Sequence, residues 1–323
     1  MSDTTSYTPA EVAKILKISR FTVYEMIKRG DLAAYHIGRK VRVEAPDLEV
    51  YIQKSKKTAL SRKGAAQPPL DDPGAEPDSF IICGQDIILD ILTRHLERAL
   101  PHIRCFRNYA GSIDGLLSLY RGTANVVTAH LWDSDTDTYN TPYVRRFLPG
   151  HRTVVYNLAY RNTGFYVAKG NPKNISHWHD LNRPDITLIN RERGSGARVL
   201  LDEMLHVLAI DYRQINGYSR EEMSHLAVAS CVARGEADVG IGIEKAALQV
   251  SDIDFIFQKK ERYDIDFIFQ KKERYDLVLR REDADKPHFQ ALLTIIRSDV
   301  FRNEVAGMGG YDLSQTGQLM GNS

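Results

Sequence analysis

The sequence predicts an α/β protein, a large domain of alternating strands and helices preceded by a small helical module that ends in a β-hairpin. Three observations predict it. From Phe80 onward, short apolar runs alternate with amphipathic stretches; the first 53 residues hold two short helical patterns and a hairpin pattern around Gly38; and Lys54 to Ser79 carries four prolines and no apolar periodicity. The expected divisions are therefore 1–53, a tether at 54–79, and 80–323. At 323 residues and 43% hydrophobic content the chain is long enough for more than one core.

The opening module follows from its helix signals. Thr8-Pro9-Ala10-Glu11 has a hydroxyl N-cap, a proline at the first helical position and an acid to close a capping box. Val12, Ala13 and Leu16 then share one face. Ser19 can cap a second helix that runs to Arg29 and stops at Gly30, with Val23 and Ile27 on its buried stripe. Leu32 to Val43 reads as two strands turning at Gly38, and Asp47 to Gln53 as a closing helix. Charge supports a polyanionic partner for this end: the chain carries +1 overall, while residues 1–64 hold 13 Lys/Arg against 7 Asp/Glu. The tether adds Lys54, Lys56, Lys57, Arg62 and Lys63.

In the large domain the expected order is a strand at Phe80–Cys83, a helix from Asp86 to Leu100, a strand from Ile103 to Phe106, a helix from Ser112 to Tyr120, and a strand from Ala124 to Thr128. Further on come a strand at Ile186–Ile189, helices at Ala197–Leu208 and Arg220–Ala233, and a strand at Ala237–Ile243. Such alternation predicts mainly parallel sheets. Three strand-to-helix loops are rich in Gly and small polar residues: Cys83-Gly84-Gln85-Asp86, Ala110-Gly111-Ser112 and Arg193-Gly194-Ser195-Gly196-Ala197-Arg198. They would present N–H groups at positive helix ends, the arrangement that takes an anion.

No basic leader with an apolar run opens the sequence, and no apolar stretch approaches a membrane span, so a cytoplasmic protein without membrane contact is expected. Cys83, Cys105 and Cys231 lack metal or disulfide spacing and are read as partly buried thiols. Trp178, between His177 and His179 after Asn171-Pro172, is read as part of a surface loop. No metalloprotease histidine pair, nucleophile elbow or Walker loop occurs in the sequence, so no catalytic residues, metal or cofactor are assigned and no enzyme is expected.

The segment "YTPAEVAKILKISRFTVYEMIKRGDLAAYHIGRKVRVEAPDLEVYI" resembles the excisionase-type winged helix-turn-helix of the MerR-like superfamily. That resemblance implies double-stranded DNA as partner. Arg20, Phe21, Tyr24 and Lys28 would enter the major groove, Ser19 and Thr22 lie near phosphates, and Arg39, Lys40 and Arg42 form the wing. The stretches "NYAGSIDGLLSLYRGTANVVTAHLWD", "YNTPYVRRFLPG", "AYRNTGFYVAKGNP", "INRERGSGARVLLDEML" and "HLAVASCVARGEADVGIG" resemble the type II periplasmic-binding-protein-like domain, in the branch similar to molybdate-binding proteins. A related fold forms the effector domain of LysR-type regulators. This resemblance implies two lobes, the second at about 160–245, crossed near Leu158–Val167 and again after Ile243. It implies a cleft ligand held by Gln85, Asp86, Ser112, Thr128, His130, Arg161, Arg191, Ser195, Gly196, Arg198, Tyr218 and His225. Asp86 would repel an anion and is expected to cap its helix or meet a donor on the ligand.

The expected protein is thus a homo-oligomeric transcriptional regulator sensing a small ligand, an oxyanion such as molybdate or tungstate. Two alternatives stay open. One is an excisionase-like architectural DNA-bending protein; the other is a cytoplasmic oxyanion-binding protein linked to molybdenum-cofactor metabolism. "DIDFIFQKKERY" occurs unchanged at 252–263 and 264–275, which makes one copy surplus, to be looped out or paired at an edge.

Overall fold

A computed structural model describes residues 6–16, 23, 26, 27, 32–37, 40–49, 51, 78–257 and 272–322. The chain divides into two units, Met1–Ala75 and Glu76–Ser323.

In the first unit, β1 (Ser6–Tyr7), α1 (Pro9–Leu16), β2 (Tyr35–Ile37) and β3 (Lys40–Glu44) form one helix beside an antiparallel sheet of order β1-β3-β2. The capping box is made as the sequence predicts: Glu11 N donates to Thr8 Oγ1 at 3.3 Å, and Thr8 N donates to Glu11 Oε2 at 2.7 Å. Hydrogen bonds from the Thr8 backbone N–H and the Thr8 hydroxyl hold the Glu11 carboxyl below its ordinary value. Val12, Val23, Met26, Leu32, Val43 and Leu48 make the core, so the two expected helical stripes do meet. Seven candidate DNA contacts, Ser19, Arg20, Phe21, Thr22, Tyr24, Lys28 and Arg39, lie outside the described residues, as do the tether cations. The backbone of Lys40 and the half-buried Arg42 are in β3, with Arg42 paired opposite Tyr35.

The second unit holds two larger sheets. The first comprises β4 (Asp78–Cys83), β5 (Ile103–Asn108), β6 (Val126–Ala129), β9 (Thr153–Arg161), β15 (Glu273–Arg280), β16 (Tyr311–Asp312) and β17 (Leu319–Asn322), in the order β16-β9-β15-β6-β4-β5 with β17 on β9. A small pair, β7 (Trp132–Asp133) and β8 (Thr138–Tyr139), lies beside it. The second sheet comprises β10 (Thr163–Ala168), β11 (Leu188–Arg191), β12 (Glu221–Glu222), β13 (Val239–Ile243) and β14 (Ile253–Phe257), in the order β12-β11-β13-β10-β14. Each sheet anchors one lobe.

The helices are α2 (Ile88–Ala99), α3 (Ser112–Tyr120), α4 (Thr141–Phe147), α5 (Gly196–Val207), α6 (His225–Ala233), α7 (Glu244–Ala247), α8 (Pro287–Arg297) and α9 (Asp299–Gly307). Their apolar faces explain where they lie. Ile88, Leu89, Ile91, Leu92 and Leu96 fall at helical spacing on α2 and pack in one core with Phe289, Leu292 and Ile296 of α8. Each such side chain fully buried is worth about 1.5–3 kcal/mol.

Three expectations need correction. The sheets are not mainly parallel: β15 runs antiparallel to both β6 and β9, and β10 runs antiparallel to both β13 and β14. The cause is the lobe crossing itself, where β9 runs into β10 with Asn162 between them and no crossover helix. Parallel pairing survives at β4–β5, β4–β6, β11–β13 and β11–β12. The helix expected from Arg220 starts at His225, because Ser224 Oγ accepts from Ala227 N at 3.1 Å and Glu221–Glu222 joins β11 as a strand. Trp178 is no surface residue: it sits in a 3₁₀ turn, buried edge-on against Phe165 at 4.9 Å between ring centroids. Of the thiols, Cys83 and Cys231 are buried and Cys105 is half-buried.

The chain returns from the second lobe between β14 and β15, where the repeat falls. The first copy supplies Ile253–Phe257 of β14, and the second supplies Glu273, Arg274 and Tyr275 of β15; residues 258–271 are outside the described set.

Candidate ligand-binding cleft

Where the lobes meet, a cavity of about 150 Å³ opens to solvent. The first turns of three helices border it: Asp86 and Ile87 before α2, Gly111 and Ser112 at α3, and Ser224, His225 and Leu226 at α6. First-turn N–H groups have no acceptor within their own helix, so each end carries partial positive charge. The α2 end is answered internally, since Ile88 N donates to Asp86 Oδ1 at 2.9 Å. Asp86 thus accepts from the first N–H of α2 from one position ahead of the N-cap, which is Ile87. At α3 the N-cap is Gly111, which offers no side chain, and Ile113 N donates to Gly194 O of the other lobe at 3.0 Å.

Beneath the cavity lies a buried charge cluster. Arg161, the last residue of β9, donates through Nη1 to Asp86 Oδ2 at 2.6 Å and through Nε to Glu273 Oε2 at 2.9 Å. Its guanidinium lies over the Tyr275 ring at 4.0 Å from the centroid. Burial alone would lower the Arg161 pKa, but Glu273 and Asp86 outweigh it and hold the guanidinium charged. Burial would likewise raise Glu273; Arg161 and His130 reverse that and hold it at about 2. His130 Nδ1 pairs with Glu273 Oε1, and Tyr311 OH donates to Asp86 Oδ1 at 2.6 Å. Tyr275 OH donates to Thr128 Oγ1 at 2.9 Å, and Thr128 donates on to Cys83 O at 3.2 Å. The Nδ1 of His225 is buried with no hydrogen-bond partner, and desolvation, with Arg191, Arg161 and His130 nearby, pushes its pKa well below the ordinary value.

The lobes also touch directly. Gln85 Nε2 donates to Glu192 Oε1 at 2.8 Å while Arg191 donates to Gln85 Oε1. Glu203 of α5 accepts from Ser134 N at 3.2 Å and from Tyr143 OH at 2.8 Å. Gly196 lies flat against the His130 ring, where a Cβ would collide with the imidazole.

Of the twelve ligand candidates, Gln85, Asp86, Ser112, Thr128, His130, Arg161 and His225 line the cavity. Arg191, Ser195 and Gly196 stand off it. Arg191 is buried in an ion pair with Glu192 at 2.7 Å, and Ser195 Oγ accepts from Arg198 N at 3.3 Å. Arg198 and Tyr218 form a separate cluster. Arg198 pairs with Asp202 at 3.1 Å and Glu221 at 3.0 Å and stacks on Tyr218, whose OH donates to Asp202 at 2.7 Å. Missing from the sequence reading are Glu273, Tyr275, Tyr311, Lys245 and the apolar Ile87 and Leu226. Ile87 directly follows the first glycine loop, the one signal that could have raised it; nothing local marks Glu273 or Tyr311, which reach the cleft only through sheet pairing.

Two lobes, two chain crossings and a cavity ringed by helix ends define a cleft-type solute-binding domain. Residues 93–297 match the family model "PBP superfamily domain", and residues 6–56 match "Helix-turn-helix domain". The chain belongs to the PBP superfamily and carries a helix-turn-helix domain at its N-terminus, the make-up of a DNA-binding regulator with a ligand-binding domain. It is 41% identical over 323 residues to the uncharacterized protein YvgK of Bacillus subtilis (strain 168), covering 99% of each chain. It is 52% identical over 122 residues to an uncharacterized protein in the ferredoxin 2Fe-2S gene 5' region of Clostridium pasteurianum, covering 38% of this chain and 97% of that one. Among solved structures, a candidate phosphate ABC transporter substrate-binding protein with bound phosphate from Clostridium perfringens matches with a TM-score of 0.52 at 15% identity, covering 73% of this chain and 99% of that one. Among the described residues no helix is long and apolar enough to cross a membrane.

Proposed function

We propose that the chain is a cytoplasmic transcriptional regulator that binds double-stranded DNA as a homo-oligomer and responds to a small anion held between the lobes of its C-terminal domain. One observation carries the reading: the first turns of α3 and α6 face a single cavity in a chain that also has a helix-turn-helix domain. Ligand closes the cleft, and closure changes DNA binding because the ligand favours one of two lobe arrangements. Molybdate and tungstate are the first oxyanions to try within this class. Thermal unfolding of the full chain should rise with one of molybdate, tungstate, sulfate or phosphate, or with a small organic anion, by mass action. Gel shifts with and without that anion should differ. If no anion moves either measurement, the sensor reading fails.

The assignment of residues 1–53 to DNA binding, with a tether at 54–79, is proposed from sequence and has its own test. Arg20→Ala or Lys28→Ala should weaken specific binding more than nonspecific binding. Lys40→Ala should lower the salt slope by about one. Unchanged operator affinity in all three variants would remove the module from DNA recognition.

A further inference from the structure

On the reading that an anion binds in the cleft, charge balance and the character of the cavity mouth narrow its class. Four charged side chains sit at or beneath the cavity: Asp86, Glu273, Arg161 and Lys245. Arg161 pairs with both carboxylates, and Lys245, whose ammonium donates to Met308 O, balances the second negative charge. The wall therefore brings no surplus positive charge beyond the helix ends, each equivalent to about half a charge. Desolvation cost grows with the square of the charge, so a dianion loses about four times as much hydration as a monoanion of the same size.

Both carboxylates are also engaged within the protein. Asp86 accepts from Ile88 N, Tyr311 OH and Arg161, and Glu273, held by Arg161 and His130, does not line the cavity, so a ligand ammonium meets no carboxylate that lacks a cation of its own. His225 also lines the cavity, and its Nδ1 is buried with no hydrogen-bond partner. At the mouth stand Ile87 of one lobe, 48% exposed, and Leu226 of the other, 44% exposed, with Ile243 and Ala246 behind them. A cavity of about 150 Å³ is the size that accepts a benzene ring when its walls are apolar.

We propose that the ligand is a singly charged organic acid without an amino group, its carboxylate at the first turns of α3 and α6 beside His225 and its apolar body between Ile87 and Leu226. Titration calorimetry on the full chain tests this with benzoate, cyclohexanecarboxylate, benzamide, molybdate and sulfate as probes. At least one carboxylate should bind tenfold or more tighter than either dianion and than benzamide. Leu226→Asn, a change at an exposed side chain, should weaken that carboxylate about tenfold. Benzamide binding as well as benzoate, or Leu226→Asn leaving carboxylate affinity unchanged, overturns the proposal. Tighter binding of molybdate or sulfate overturns it too, yet leaves the anion cleft standing. No heat with any probe removes both.

Discussion

Ser112 and Ser195 each open a helix after a glycine, one in either lobe, and a single residue of offset separates their fates. Ser195 is the N-cap of α5, so its hydroxyl is taken by Arg198 N, and the side chain is buried away from the cavity. Ser112 is already inside α3, whose N-cap is Gly111; its hydroxyl accepts from His130 N at 3.3 Å and faces the cavity. A serine at the cap serves its own helix, whereas a serine one step later turns its hydroxyl to the neighbouring backbone and the cavity wall. The neighbouring arginines divide the same way. Arg161 sits under the cavity between two carboxylates, while Arg198 ties α5 to β12.

The sharpest way to break this contrast is Arg161→Ala. It leaves Asp86 and Glu273 buried without their cation, and a cost of about 3–5 kcal/mol is expected in a urea titration. Arg198→Ala should cost less, because its partner Asp202 is nearly half exposed, at 45%. Equal losses would mean that burial of the partner carboxylates does not set the difference.

The serines come next in size. Ser195→Ala should lower stability by about 1 kcal/mol, the usual worth of an N-cap, with ligand affinity unchanged. Ser112→Ala also removes an acceptor, the one His130 N uses at 3.3 Å, so a similar stability loss is expected there, but only this variant should lower affinity for the tightest-binding probe anion, by about tenfold. An affinity loss in Ser195→Ala equal to that in Ser112→Ala would erase the offset argument.

A smaller effect separates the two buried titrating groups. The folded His225 pKa lies well below 6.5, so only the unfolded chain takes up this proton as the pH falls through 6.5, and stability drops there. Glu273, lowered to about 2 from 4.5, contributes stability that is present above 4.5 and is lost only as the pH falls towards 2. Denaturant titrations between pH 7 and 5 should slope in the parent and flatten in His225→Asn. A slope that persists in the variant assigns it elsewhere.

Smallest of all should be removal of one repeat. Deleting 252–263 or 264–275 yields the same polypeptide, with one "IDFIF" for β14 and one "ERY" for β15. Stability should stay within about 0.5 kcal/mol, since shortening a connection changes closure entropy only slowly. A larger loss would show that the middle twelve residues pack.

What could be read in the sequence was local. The capping box at Thr8, the strand–glycine–helix loops and the stripe of α2 are each written within a dozen residues, and each is formed. β9 and β10 carry no strand signature in the sequence because nearly every residue is buried, which erases the alternation that marks a strand. The cluster on Arg161 joins residues 75 and 112 positions apart, and Glu273 lay inside a repeat whose two copies sequence alone makes equivalent. Sheet register, not spacing, brought it to the cleft.

The doubled segment has a practical side. It falls where the chain leaves β14 for β15, and twelve added residues leave the composition of both strands untouched. Protein engineers look for such a splice point when they build optical sensors. A circularly permuted fluorescent protein inserted here would bridge the two lobes directly, and its brightness would report their closing in a living cell before any operator is known.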